Sequence, residues 1–175
     1  MYRYSKTTQS KGAAWAGNKL RLVLVSFGVL LLAGCAKDFA ALQITAYVNQ
    51  DILNIAELEQ YALAQYAAVT GKNYASDQAV SKTLRESVIP YYGRFVDELR
   101  AIQPQNDELK NLHGIYYQGA DLLYRGFKMK LAGIEAQDAL IIRSANQQIT
   151  AGRLKTEQWR QELLLLYRKY DVAQK

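Results

Sequence analysis

The sequence predicts an all-α protein, an antiparallel up-down-up-down four-helix bundle with its second helix kinked near Pro90, carried behind an N-terminal leader. Three observations point there. Apolar residues recur at spacings of three and four through every long segment after Asp38, and no long run alternates in the manner of a strand. At 50% apolar and 22% charged residues, the chain has the composition of one that buries a core. Its breaks fall at Gly71-Lys72-Asn73, at Gln103-Pro104-Gln105-Asn106 and around Gly133, which leaves four long segments.

The first helix runs from Asp38 to about Thr70, with Ala41, Ile44, Val48, Ile55, Leu58, Ala62 and Val69 on one face, and Gly71-Lys72-Asn73 stops it. Ser76 and Asp77 are suited to cap the second, whose face is Val80, Leu84, Val88, Tyr91, Phe95, Leu99 and Ile102. Pro90 removes one backbone donor and crowds the preceding turn, which predicts a kink over Ser87 to Pro90 or two helices meeting there.

Asp107 and Glu108 favour the positive N-terminus of a third helix, whose seam is Leu112, Ile115, Gly119, Leu122, Gly126, Met129 and Gly133. Glycine inside a helix costs about 1 kcal/mol relative to alanine, so three of them in one seam call for a reason. Two readings are open: close packing, by approach of a neighbouring helix or to make room for the tyrosines, or a groove for a partner or ligand that includes Tyr116, Gly119, Tyr124 and Gly126. Gly133 is also suited to end the helix.

The fourth segment, from about Glu135 to Tyr170, has the cleanest seam: Ile142, Ala145, Ile149, Gly152, Thr156, Trp159, Leu163, Leu166 and Tyr170. Four helices joined by short turns favour antiparallel neighbours. A three-helix body with the last two segments fused is the alternative.

The net charge of +6 belongs to the leader. Residues 1–34 hold Arg3, Lys6, Lys11, Lys19 and Arg21 and no acid, leaving 17 basic and 16 acidic residues from Cys35 onward. The near-neutral body argues against a nucleic-acid partner. After Arg21, the thirteen residues Leu22 to Gly34 are uncharged and mostly apolar. As a helix they would reach about 20 Å, short of the ~30 Å hydrocarbon core. A basic stretch, a short apolar stretch and small residues at its end read as an export signal in preference to a permanent span.

Leu32-Ala33-Gly34-Cys35 resembles the lipobox of bacterial lipoproteins, and Cys35 is the only cysteine in the chain. The resemblance implies that residues 1–34 are a signal peptide recognised through Leu32, Ala33 and Gly34 and removed. It further implies that the Cys35 thiolate carries diacylglycerol and that residues 35–175 form a lipid-anchored helical domain. Two or three acyl chains anchor stably where one binds marginally. Ala36, not aspartate, follows the cysteine. In a Gram-negative cell the resemblance therefore favours the periplasmic face of the outer membrane. The body has a general likeness to small helical lipoproteins.

The single histidine, His113, rules out sites needing two imidazoles, and Lys110 stands where a Glu-x-x-His motif requires its glutamate. No GxSxG elbow is present, so nucleophilic hydrolysis has no support. Glu57 with Glu59 and Asp97 with Glu98 read as solvated faces, and His113 as a surface or boundary residue. Of Tyr91-Tyr92 and Tyr116-Tyr117, one member of each is expected in the core and the other at its rim. The cluster Arg125, Lys128 and Lys130 is expected in solvent, with Asp121 placed to pair Arg125. These readings lead to a non-enzymatic envelope lipoprotein with no catalytic residues, no metal and no cofactor beyond the lipid on Cys35. It is expected to act as a binding or adaptor module, held to the membrane by its lipid and holding an envelope protein. The alternative is a carrier of a small apolar ligand.

Overall fold

Short polar side chains start three of the helices, and their caps set the element boundaries. Ser76 Oγ accepts the Ala79 amide at 3.2 Å, Asn106 Oδ1 accepts that of Leu109 at 2.9 Å, and Asp138 Oδ1 accepts those of Leu140 and Ile141 at 2.8 and 3.1 Å. The computed structural model describes residues 37–173. Leu32, Ala33, Gly34 and Cys35, with the whole predicted signal peptide and Ala36, lie outside the described residues. The chain divides into two units, Met1–Phe39 and Ala40–Lys175, and the second is the helical domain. Its described residues are helical, in turns or in short irregular links, without a strand.

Helix α1 comprises residues 40–46, a π turn over Tyr47–Ile52, and Leu53–Ala68. A 3₁₀ turn, Gly71–Asn73, follows, entered through Gly71 at φ +62°, a conformation that glycine adopts without penalty. Helix α2 comprises Asp77–Thr83, a second π turn over Leu84–Val88, and Ile89–Ala101. Helices α3 and α4 are Asp107–Glu135 and Ala139–Lys169. The α3–α4 link is closed by the Asp138 amide donating to the Gly133 carbonyl at 2.9 Å, with Gln137 in the left-handed region at φ 52°.

The third and fourth segments are therefore separate helices, divided at a non-glycine residue. The second π turn stands just before Pro90, where the helix lacks one amide hydrogen and the ring presses on the preceding turn.

Val80, Leu84, Val88 and Tyr92 are buried at strict four-residue intervals. That spacing drifts off one face of a regular helix, and the wider π turn brings it back. Tyr92, not Tyr91, is consequently the core residue, and Tyr91 lies outside against Tyr61 with ring centroids 4.4 Å apart. On α1 the core also takes Tyr47, Ile52 and Tyr66, absent from the expected face. On α3 the large core residues are Leu109, Leu112, Tyr116, Leu123 and Phe127, while Ile115 and Leu122 are half-buried and Met129 is exposed. The expected seam followed the glycines, and the bulky side chains occupy the adjacent stripe.

The glycines mark where α4 lies against α3. A Cβ on Gly119 would come within 2.9 Å of the Thr156 amide nitrogen, one on Gly126 within 2.7 Å of Ile149 Cγ1, and one on Gly133 within 2.9 Å of the Ile142 nitrogen. Residue numbers rise along α3 as their partners fall along α4. At the far end of this pair, Glu108 accepts from Lys169 and from the Tyr170 hydroxyl, the latter at 2.6 Å.

Candidate functional site

Four helices converge on Glu59. It lies on α1 between Ile55 and Ala62, at the spacing of the buried face, so a carboxylate stands where an apolar side chain would be expected. Its Oε2 accepts the Tyr116 hydroxyl of α3 at 2.6 Å and its Oε1 that of Tyr92 of α2 at 3.4 Å. Trp159 of α4 stacks on Tyr116, centroids 4.0 Å apart and planes 12° from parallel. The reading of Glu59 as a solvated residue is corrected: its side chain is half-buried and ties three helices.

Burial pushes the Glu59 carboxyl above the usual range, with the two tyrosine hydroxyls opposing the shift. The same burial, with Glu59 beside them, drives the Tyr92 and Tyr116 phenols far up, so both remain donors. A cavity of ≈ 250 Å³, lined by Glu59, Tyr116, Arg153, Trp159 and others, opens this cluster to the surface. Chemically, it offers a carboxyl that holds its proton to higher pH than usual, two fixed phenols and an aromatic wall.

A second polar pair adjoins it. Tyr47 Oη and His113 Nδ1 are 3.1 Å apart, and both residues are buried. With the proton on Nε2, the Tyr47 hydroxyl donates to Nδ1. Burial lowers the His113 pKa, against the favourable influence of the Leu99 backbone and Asp51 on the charged form. His113 is 8% exposed, which corrects its expected place at the surface or boundary. Among the described residues the buried Trp159 indole Nε1 has no acceptor in hydrogen-bond geometry, although its proximity eases the upward push that burial gives the Tyr47 phenol.

Of the candidate groove residues, Tyr116 belongs to the Glu59 cluster, while Gly119 and Gly126 lie beneath Thr156 and Ile149 of α4. Tyr124 packs over Gly93 of α2 and carries Lys128 Nζ 4.6 Å from its ring centroid. These four residues do not line one open groove, because α4 fills the glycine seam. Tyr117, half-buried at the rim, accepts from Arg100 Nε at 2.7 Å. Arg125 pairs with Asp121 at 2.9 Å, as their spacing predicts. Lys130 departs from its expected place in solvent: its ammonium donates to Tyr66 Oη and Asn146 Oδ1 at 2.9 and 3.0 Å.

Among the described residues, no three His, Cys, Asp or Glu side chains gather as a metal site, and no helix is long and apolar enough to cross a membrane. Comparison with family models, with curated proteins and with solved structures finds no match.

Proposed function

We propose that this protein is a non-enzymatic, lipid-anchored envelope lipoprotein whose helical domain works as a binding or adaptor module. The observation that carries the reading is Cys35, the only cysteine, at the end of Leu32-Ala33-Gly34-Cys35, which resembles a lipobox, and five residues before Ala40, where the helical unit begins. A lipid on Cys35 would tether the domain to the bilayer. In a Gram-negative cell Ala36 favours the outer membrane, with the domain in the periplasm.

The domain is proposed to be an up-down-up-down four-helix bundle, kinked in α2 near Pro90. The order of contacts supports this topology. Tyr47 meets His113 and Tyr66 meets Phe127, a parallel sequence between α1 and α3. Arg100 meets Tyr117 and Arg85 meets Glu135, the reverse sequence between α2 and α3. The π turn before Pro90 supports the kink.

The partner surface is proposed to centre on Tyr61 and Tyr91, an exposed aromatic pair at the junction of α1 and α2. Tyrosine offers large contact area at low entropic cost. Crosslinking in the native host, followed by affinity purification, tests this. An envelope protein recovered with the wild type and lost with Tyr61→Ala and Tyr91→Ala is the expected result; no reproducible partner, or equal recovery with the variants, contradicts it.

One observation favours the second reading, an apolar-ligand carrier. A groove of ≈ 390 Å³ between α1 and the end of α4 is lined by Val48, Leu53, Leu164, Tyr167 and Val172 among others. Native mass spectrometry of the purified protein distinguishes the two, since a carrier retains a small molecule.

A further inference from the structure

The geometry points to a phosphate-binding pocket where α1 ends against the C-terminal part of α3 and the first half of α4, next to the Glu59 cavity, with which it shares Arg153, and apart from the Tyr61–Tyr91 surface. A cavity of ≈ 600 Å³ opens there, and Lys72, Lys130 and Arg153 all line it. None of its lining residues is acidic. None of these three cations enters an ion pair among the described residues. A local excess of three positive charges stands out against a body that carries 17 basic and 16 acidic residues.

The pocket is also organised. Tyr66, 4% exposed, is its aromatic wall: Lys130 Nζ stands at its hydroxyl, 5.2 Å from the ring centroid, and Arg153 Cζ lies 5.9 Å from the same centroid. Two like charges are thus gathered on one side chain and held by neutral groups, an arrangement that an anion between them relieves. Lys130 spends two of its three ammonium hydrogens on Tyr66 Oη and Asn146 Oδ1, which orients it and leaves one donor. Arg153 adds a planar fork suited to two oxygens of one anion, and Lys72 adds a point charge from the 3₁₀ turn. Three cations with no carboxylate in the lining match a multiply charged oxyanion better than a single carboxylate, so the group recognised is a phosphate, borne by a small soluble molecule or by a lipid headgroup.

The test uses the full chain in nonionic detergent and titrates inorganic pyrophosphate, followed by calorimetry and by ³¹P resonance broadening. Saturable binding that weakens with salt is expected, reduced about tenfold or more in Lys130→Met and in Arg153→Gln. Lys82→Gln, an exposed cation outside the pocket, should bind as the wild type does. Circular dichroism of each variant separates loss of the site from loss of the fold. Micelles doped with phosphatidylglycerol distinguish the source: competition with pyrophosphate that depends on Lys130 assigns a lipid phosphate, and its absence assigns a soluble one. No saturable binding of pyrophosphate, or equal binding by the folded Lys130→Met and Arg153→Gln proteins, overturns the proposal.

Discussion

Replacing Gly152 with alanine should force α4 away from α3, while the same replacement at Gly114 should stabilise the protein. A Cβ on Gly152 would sit 2.7 Å from Leu123 Cγ, 2.8 Å from the Gly119 carbonyl oxygen and 2.9 Å from the Leu123 nitrogen. Two of these atoms are α3 backbone and have no rotamer through which to retreat, so the helices must part by roughly 0.5–1 Å to restore ordinary contact, and a gap of that size forfeits a quarter to a half of each dispersion contact it opens. Overpacking of this kind costs about 1–3 kcal/mol, against about 1 kcal/mol regained from alanine's better helix propensity.

The neighbouring contacts of Gly119 with Thr156 and Gly126 with Ile149 loosen with it, which leaves a net loss of about 1–2 kcal/mol. At Gly114 nothing lies within 4 Å of the added carbon, and only the gain of about 1 kcal/mol remains. The two variants should differ by about 2–3 kcal/mol, or roughly 5–10 °C in Tm for a domain of this size. Thermal unfolding by circular dichroism, checked by urea titration, reads both. A Gly152→Ala protein as stable as Gly114→Ala would refute the account of the seam.

Two pH experiments probe the buried polar groups. Because burial raises the Glu59 pKa in the folded state, its contribution is fully present below the unfolded carboxyl pKa and is lost as pH rises through the folded value. Glu59→Gln should therefore gain stability relative to the wild type as pH increases from about 4 to 7, and a difference that stays flat would show that the carboxylate pays no burial cost. His113 has the opposite sign. Its folded pKa is lowered, so stability should fall as pH drops below about 6.5. His113→Gln should remove that slope, measured by urea unfolding between pH 7.5 and 5.5, and an unchanged slope would assign it to another group.

Helix content and order follow directly from apolar spacing, because burial of one face is what stabilises helices of this length. The caps at Ser76 and the acidic start of α3 were equally plain. What spacing alone missed has specific causes. The turn after Glu135 uses Gln137 at positive φ in place of glycine, and so carries no compositional signal. Tyr91 and Tyr92 exchange roles because the π turn changes the phase of α2, which an assumption of 3.6 residues per turn does not allow. The α3 glycines stand out in the sequence, but the helix that packs on them lies beyond the reach of local spacing.

Glu59 illustrates a different gap. Its spacing from Ile55 and Ala62 puts it on the buried face, whereas its charge argues for solvent, and the tyrosines that stabilise it come from α2 and α3. Long-range partners of this kind have no signature in local periodicity. The same holds for Lys130, four residues after Gly126, whose acceptors lie on α1 and α4.

The central claim is the anchor, and the most direct measurement is the intact mass and N-terminus of the protein isolated from host membranes, with Cys35→Ala in parallel. The expected result is a mature chain that begins at Cys35, is heavier than its polypeptide by a diacylglycerol group with or without a further acyl chain, and takes up labelled palmitate. Cys35→Ala should accumulate as unprocessed, unlabelled precursor. An unmodified wild-type chain, or a Cys35→Ala protein processed and attached as the wild type is, would contradict the claim.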